Sequence, residues 1–300
     1  MKGVSILTEE QFVQKIISLG GQAYIAGGWV RDRCLGRAAH DKDYVVCGLD
    51  KDTFESAFSA LPTGKLFPVY LIKIDGASRE VALVRTERKT GQGYHGFEAY
   101  FTPSTTIEED LFRRDTRMNS MAVHLPGGEI VDPFGGRADI KNRLVQATSF
   151  HFRDDPVRAL RAARQAAQLG FSVAPDTIGL MRECAAELAL EPPERIFAEM
   201  QKALLSASPS VFFTTLRQAG LLSSTFPELE ALCGVAQPLP YHFGLDAFEH
   251  TMNVLDRTAA LSENTITRFA ALVHDLGKGL TPREQWPHHY DHPSLGLIAL

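Results

Sequence analysis

Two aspartates two residues apart, Asp41 and Asp43, lead into the apolar run Tyr44-Val45-Val46-Cys47. Side chains at i and i+2 of an extended chain share a face, so both carboxylates can address one point. Paired hard-oxygen ligands suit Mg²⁺, which takes one or two protein carboxylates and completes its octahedron with phosphates and water. Metal ions held this way stabilise the attacking and leaving oxygens of a phosphoryl or nucleotidyl transfer. Upstream, Gly27-Gly28 allows backbone amides a close approach to a polyphosphate, and Arg31 follows in the next turn. Farther along stand Arg113 and Arg114, then Asp154-Asp155-Pro156 with Arg158 and Arg161, and finally His250 with His274-Asp275. Histidine plus carboxylate on consecutive helices is a second, chemically different pattern for a divalent metal.

The elements that must position these groups can be read around them. Tyr24-Ile25-Ala26 is a short strand that breaks at the glycine pair, Val30 to Leu35 a helical turn closed by Gly36, and Asp43 to Cys47 a second strand. Residues 1 to about 21 form an amphipathic helix with Phe12, Ile16 and Ile17 on its apolar side, stopped at Gly20-Gly21. Leu66 to Ile72 and Arg79 to Val84 read as strands, and Glu80 is either a third carboxylate beside the aspartate pair or a surface glutamate at a strand start. Arg85 to Phe97 is a basic, glycine-rich loop with two aromatics, suited to contact nucleotides by charge and stacking. Thr106 to Glu109 has capping-box spacing and begins a helix that sets Arg113 and Arg114 beside the sheet. Asn119 to His124 and Gly127 to Phe134 form a closing hairpin.

From Asp154 onward helix formers take over. Asp155, Arg158 and Arg161 recur every three residues and so share a helix face. Helices over Pro193 to Leu205 and Ser210 to Leu222 follow, with breaks near Pro175, Pro192-Pro193 and Pro227. A Pro/Gly-rich linker from Gly234 to Gly244 leads to the His250 helix and to Phe269-Val273, which ends in His274-Asp275 with Lys278, His288, His289 and His292 close behind.

Bulk composition sets the frame. The chain has 300 residues, 44% hydrophobic and 22% charged, which fits a globular protein of two or three domains. It shows no apolar run of membrane-spanning length (roughly 18 residues) and no signal-peptide pattern, so no membrane partner is expected. Cys34, Cys47, Cys184 and Cys233 lack CxxC spacing, which argues against a disulfide framework or zinc site and for a cytoplasmic location. The formal charge is −5, yet Arg113 to Arg164 holds ten Lys/Arg against six Asp/Glu, and phosphate binding is expected there.

Taken in order, these residues resemble the motifs of the class II tRNA nucleotidyltransferases, the CCA-adding enzymes, in their bacterial multifunctional form with an HD domain. Gly27-Gly28-x-Val30-Arg31-Asp32…Leu35-Gly36…Asp41-x-Asp43 is similar to the family's first motif, Arg113-Arg114-Asp115…Asn119…Met121-Ala122 to the second, and Asp132-Pro133-Phe134-x-Gly136 to the third. Asp154-Asp155-Pro156-x-Arg158-x-x-Arg161 resembles the nucleobase-selecting motif, Glu194-Arg195 the last helical motif, and His250 with His274-Asp275 the HD signature. The second motif departs from the usual Phe/Leu-Thr-Ile core by reading Thr116-Arg117-Met118.

The resemblance implies an α+β fold: a polymerase-β-like nucleotidyltransferase head (small mixed sheet with helices), an all-helical neck and body, and the start of a helical HD domain. Expected bounds are 1–145 for the head, 146–235 for the neck and body that select the nucleobase and bind tRNA, and 240–300 for an HD domain incomplete at Leu300. Asp41 and Asp43 are implied as catalytic Mg²⁺ ligands, and Gly28, Arg31, Arg114, Asp155, Arg158 and Arg161 as nucleotide-binding residues. His250, His274 and Asp275 are implied to hold Ni²⁺ or another transition metal. The implied partners are the tRNA 3′ end, ATP and CTP, with a homodimer admitted as an assembly. The implied activity is template-independent addition and repair of the tRNA 3′-terminal CCA, with phosphohydrolase activity on 2′,3′-cyclic phosphates, 2′-nucleotides or phosphate esters in the longer protein. An enzyme that adds only A, and a poly(A) polymerase, are the alternatives within the class. A metal phosphohydrolase with an inert head is the alternative from another.

Overall fold

The computed structural model describes residues 7–63, 68–91, 96–239 and 244–299. Its contacts separate two units, Met1–Asn142 with Gln146–Asp154, and Arg143–Val145 with Asp155–Leu300.

The first unit is built on a seven-stranded mixed sheet in the order β3-β4-β5-β2-β1-β8-β9. Its strands are β1 (Gln22–Ala26), β2 (Asp43–Cys47), β3 (Pro62–Thr63), β4 (Val69–Ile74), β5 (Ala77–Leu83), β8 (Ala122–Leu125) and β9 (Ile130–Val131). A separate antiparallel ribbon pairs β6 (Thr86–Lys89) with β7 (Phe97–Tyr100). The period-two alternation of β1 and β2 divides their side chains between two cores. Ala23, Ile25, Tyr44 and Val46 meet Phe12, Val13 and Ile16 of α1 (Glu9–Ser18) and Phe54 of α3 (Lys51–Phe58). Tyr24, Ala26, Val45 and Cys47 meet Ile107 and Leu111 of α4 (Ile107–Phe112). Both α1 and α4 start with complete capping boxes, Thr8/Gln11 and Thr106/Glu109, each of which satisfies two backbone donors that the first turn leaves unpaired. The remaining helices are α2 (Gly28–Cys34) and α5 (Gly136–Asn142).

The second unit is helical apart from a small parallel pair, β10 (Leu144–Val145) with β11 (Ser172–Val173). Its helices are α6 (Val157–Leu169), α7 (Pro175–Glu183), α8 (Ala185–Leu188), α9 (Pro193–Leu204), α10 (Ser210–Ala219), α11 (Leu222–Thr225), α12 (Pro227–Glu230), α13 (Ala247–Leu261), α14 (Thr265–Val273) and α15 (His292–Ala299). Proline occupies the opening position of α7, α9 and α12, where its missing N–H costs no hydrogen bond. Arg268 of α14, 4% exposed, donates to the backbone oxygens of Leu204, Ser206, Ala259 and Ser262. One buried cation thereby satisfies carbonyls that the ends of α9 and α13 leave unpaired.

Several expectations need correction. The glycine-rich segment is not loop throughout, because its ends pair as β6 and β7; residues 92–95 lie outside the described residues, as do Leu66 and Phe67 of an expected strand. Ile17 is 43% exposed and does not join Phe12 and Ile16 in the core. Asp155 precedes α6 and so shares no helix face with Arg158 and Arg161; its carboxylate accepts from the Val157 N–H at 3.1 Å. The Thr116-Arg117-Met118 departure packs without disruption: Thr116 and Met118 are fully buried, and the Arg117 N–H donates to Gln146 O at 2.9 Å.

Candidate functional site

Sheet register brings the head carboxylates together. Asp43 is level with Ala26, where β1 ends at the glycine pair, and the parallel match of Tyr44 with Val81 places Glu80 beside Asp43. The Asp43 carboxyl is pushed above the usual aspartate range, first by desolvation, then by the charges of Glu80 and Asp41, with Arg114 and Arg79 opposing. Crowded carboxylates of this kind bind protons more readily than normal, and a divalent cation relieves the same repulsion. The donor set fits Mg²⁺: hard oxygens, open to solvent at Asp41 and Asp43, with room for phosphate and water ligands. The three do not converge as closely as the histidine site described below.

The arginines are aimed by neighbours. Gly27 has φ +81°, and a Cβ there would stand 3.2 Å from Arg114 Nη1, so a side chain would meet both backbone strain and the guanidinium. Arg114 donates from Nη2 to Asp110 Oδ2 at 3.0 Å, and Arg113 donates from Nη2 to Asp110 Oδ1 at 2.5 Å and from Nη1 to Glu87 at 2.8 Å. Asp110 is 1% exposed. Burial pulls its pKa up, but the charges of Arg113 and Arg114 outweigh that and hold it at about 2. Arg31 donates to Asp32 Oδ1 and to Asn119 Oδ1, both at 2.9 Å, and Asn119 in turn donates to the buried Asp115 at 3.2 Å. The first two motifs are thus stitched through Arg31 and Asn119.

In the second unit Arg158 and Arg161 stand one turn apart on α6, both half-buried. Asp155 meets Arg195, whose Nη2 donates to Oδ1 at 3.2 Å and Oδ2 at 3.1 Å. Arg195 is held in turn by the buried Glu191. The Glu194-Arg195 motif signals Arg195 in the sequence, and the signal for Glu191 is its position four residues before that arginine.

The remaining cluster lies where α13 and α14 meet. His250, His274 and Asp275 offer ligand atoms within 4.8 Å of one another, and no other group of three does so among the described residues. His274 Nε2 is 3.1 Å and His250 Nε2 3.7 Å from Asp275 Oδ2, while His292 Nε2 is 3.5 Å from Oδ1. The Nδ1 atoms of His274 and His292 lie 2.8 Å from the carbonyls of Ala271 and His289. A carbonyl only accepts, so each neutral ring carries its hydrogen on Nδ1 and turns the Nε2 lone pair to the carboxylate. Two imidazole lone pairs face the carboxylate, and Asp275 Oδ2, although 2.7 Å from the Lys278 ammonium, is buried without a well-aligned hydrogen bond. The residues therefore fit a divalent metal.

Without a metal, the same groups pair with one another. His274 is raised above the usual histidine value, chiefly by hydrogen bonding to Asp275. Although burial pulls the Asp275 carboxyl up, His274 and Lys278, whose Nζ is 2.7 Å away, hold it well below the usual range. Gly277 admits this packing, since a Cβ there would stand 1.9 Å from the His292 carbonyl oxygen. The other clustered histidine, His289, is structural: its nitrogens lie 2.7 Å from Thr281 Oγ1 and from Ala236 O. His292 was visible in the sequence only as one of three nearby histidines.

Comparison with known proteins agrees with this organisation. Residues 23–146 match the family described as Poly A polymerase head domain, 170–233 that described as probable RNA and SrmB-binding site of polymerase A, and 247–299 the HD domain family. The chain is 48% identical over 284 residues to a multifunctional CCA protein of Methylococcus capsulatus, covering 93% of this chain and 66% of that one. It is 47% identical over 281 residues to one of Nitrosococcus oceani, covering 93% and 68%. It thus spans about two thirds of the length of these relatives. Among solved structures, the Bacillus stearothermophilus CCA-adding enzyme in complex with CTP superposes with a TM-score of 0.64 at 26% identity, covering 91% of this chain and 65% of that one.

Proposed function

We propose, given that this chain belongs to the family of multifunctional CCA proteins, that it builds and repairs the 3′-terminal CCA of tRNA from CTP and ATP without a nucleic-acid template. The observation that carries this reading is Asp43 set beside Glu80 and Arg114 at the Gly27–Gly28 turn. Asp41 and Asp43 hold Mg²⁺, which when bound lowers the pKa of the attacking hydroxyl and neutralises charge developing on the triphosphate. Arg31 and Arg114 donate to the phosphates in the forked geometry that a guanidinium provides. A Cβ at Gly28 would stand 3.5 Å from Arg31 Nη2, so glycine keeps the approach to that guanidinium open. Asp110 and Asn119 hold the two arginines in place before substrate arrives, which lowers the ordering cost of binding.

Asp155 and Arg158 choose the base. Cytosine and adenine each present an exocyclic amino donor beside a ring-nitrogen acceptor; a carboxylate accepts from the first and a guanidinium donates to the second. Guanine and uracil reverse that order and leave both partners facing like groups. Arg195 fixes the Asp155 carboxylate, whose remaining lone pairs stay available to the amino group. A cytoplasmic setting follows from tRNA as substrate.

The His250/His274/Asp275 cluster supports a second reading, metal-dependent phosphohydrolysis of 2′,3′-cyclic phosphates, 2′-nucleotides or phosphate esters. Imidazole donors favour Ni²⁺ or a similar transition metal over Mg²⁺ at that position. One assay tests the main reading: incubate the protein with Mg²⁺, CTP, ATP and tRNAs ending before CCA, after C or after CC, and sequence the 3′ ends. Addition to all three is expected. Addition to none overturns the reading, and addition of A alone selects the A-adding alternative.

A further inference from the structure

The residue between the two aspartates, Lys42, carries a positive charge into the site where a divalent cation is expected. It does not reach the carboxylates, because α1 holds it elsewhere. Lys42 Nζ pairs with Glu9 Oε2 and lies 5.6 Å over the Trp29 ring. The same Glu9 oxygen accepts from Tyr44 Oη at 2.5 Å. Glu9 is itself anchored, its N–H donating to Asp75 Oδ1 at 3.1 Å. Beneath it Phe12 and Ile16 are fully buried, and the Phe12 ring meets Tyr44 edge-on at 5.3 Å. Strand parity explains the division. Tyr44 lies on the α1 face of the sheet and Val45 on the α4 face. Continued upstream, the same alternation gives Asp41 and Asp43 to the Arg114 side and Lys42 to the Glu9 side. Residues 41 and 42 precede β2, however, so no ladder fixes them there and the separation depends on Glu9.

Helix α1 lies upstream of the segment, residues 23–146, that matches the head-domain family. We propose that this helix is a strut for the metal site, and that Glu9 is a positioning residue that keeps the Lys42 ammonium off Asp41 and Asp43. The inference rests on the reading of those aspartates as metal ligands. Without Glu9, the flexible four-carbon stem lets the ammonium swing to the carboxylates and compete with the divalent cation.

The test is Mn²⁺ binding followed by electron paramagnetic resonance, in a His274→Ala background that silences the histidine site, with Asp43→Ala as the blank. Glu9→Ala is expected to weaken the Asp43-dependent Mn²⁺ binding by about tenfold. Adding Lys42→Met is expected to restore it to within about twofold, a coupling that mere loss of packing does not produce. Melting temperatures of each variant, read alongside, report folding separately. Unchanged binding in Glu9→Ala, or a defect that persists in the double variant, overturns the strut. Loss of no Mn²⁺ signal in Asp43→Ala overturns instead the reading of the metal site itself.

Discussion

The two candidate metal sites of this chain solve opposite electrostatic problems. At the sheet, Asp43 is crowded by Glu80 and Asp41 and its carboxyl is pushed up; at the histidine cluster, Asp275 is flanked by His274 and Lys278 and its carboxyl is pushed down. The first is a partly desolvated set of mutually repelling carboxylates at an accessible sheet edge, which suits a hard cation that arrives with phosphates and keeps its water. The second is a buried carboxylate already ionised and partly neutralised, ringed by imidazoles whose tautomers are set by backbone carbonyls, which suits a resident transition metal. Both sites contain aspartate, and surroundings alone decide which cation each favours.

That contrast can be broken most decisively by Asp43→Ala. Nucleotide addition is expected to fall by at least about 10²–10³-fold, the scale of losing one strong electrostatic contact at a reacting centre, while metal binding at the histidine cluster persists. Loss of both would show that the sites are not independent. Asp110→Asn comes next, because it removes the buried charge that Arg113 and Arg114 share and leaves Arg113 with Glu87 alone. A loss of about 3–5 kcal/mol of stability is expected in urea unfolding.

The pH dependence gives the sign. Asp110 is held at about 2, below the usual value near ~3.9. Its contribution is therefore present above pH ~4 and lost as pH falls through about 2. The gap in urea midpoint between the parent and Asp110→Asn should narrow over that range; a constant gap refutes the assignment. A smaller effect is expected of His274→Ala, which should weaken Ni²⁺ binding by more than about 10–100-fold, the range for losing even an outer-shell partner, and leave CCA addition intact. Smallest is Arg195→Lys, which gives up the double contact to Asp155. It should relax discrimination against GTP and UTP by about tenfold, the scale of a single charged hydrogen bond. Unchanged selectivity would separate Arg195 from base choice, and unchanged selectivity in Asp155→Ala and Arg158→Ala would refute the pair itself.

Much of the head was legible in the chain. The apolar runs Tyr24–Ala26 and Tyr44–Cys47 mark strands, capping boxes mark α1 and α4, and the glycine pair followed by Asp41 and Asp43 marks a candidate site for a metal and a phosphate. These are local signals, since strand period, cap and turn are set within a few residues. Thr86–Lys89 and Phe97–Tyr100 have the polar composition of a loop, yet they pair as a ribbon outside the main sheet.

The partners of the charges were not legible. Glu9 with Lys42, Arg195 with Asp155, Arg268 with the carbonyls of Leu204 and Ser206, and His292 with Asp275 join residues whose spacing carries no period. Many of the 36 acidic side chains could have served any of the 31 Lys/Arg. Burial decides among them, because a charge removed from water must find its counter-charge or a set of carbonyls within hydrogen-bond reach. Short-range spacing puts the two aspartates on one strand face and ends an apolar helix at His274-Asp275. Long-range packing sets where Lys42 points, which arginine grips Asp155, and which histidine approaches the far oxygen of Asp275.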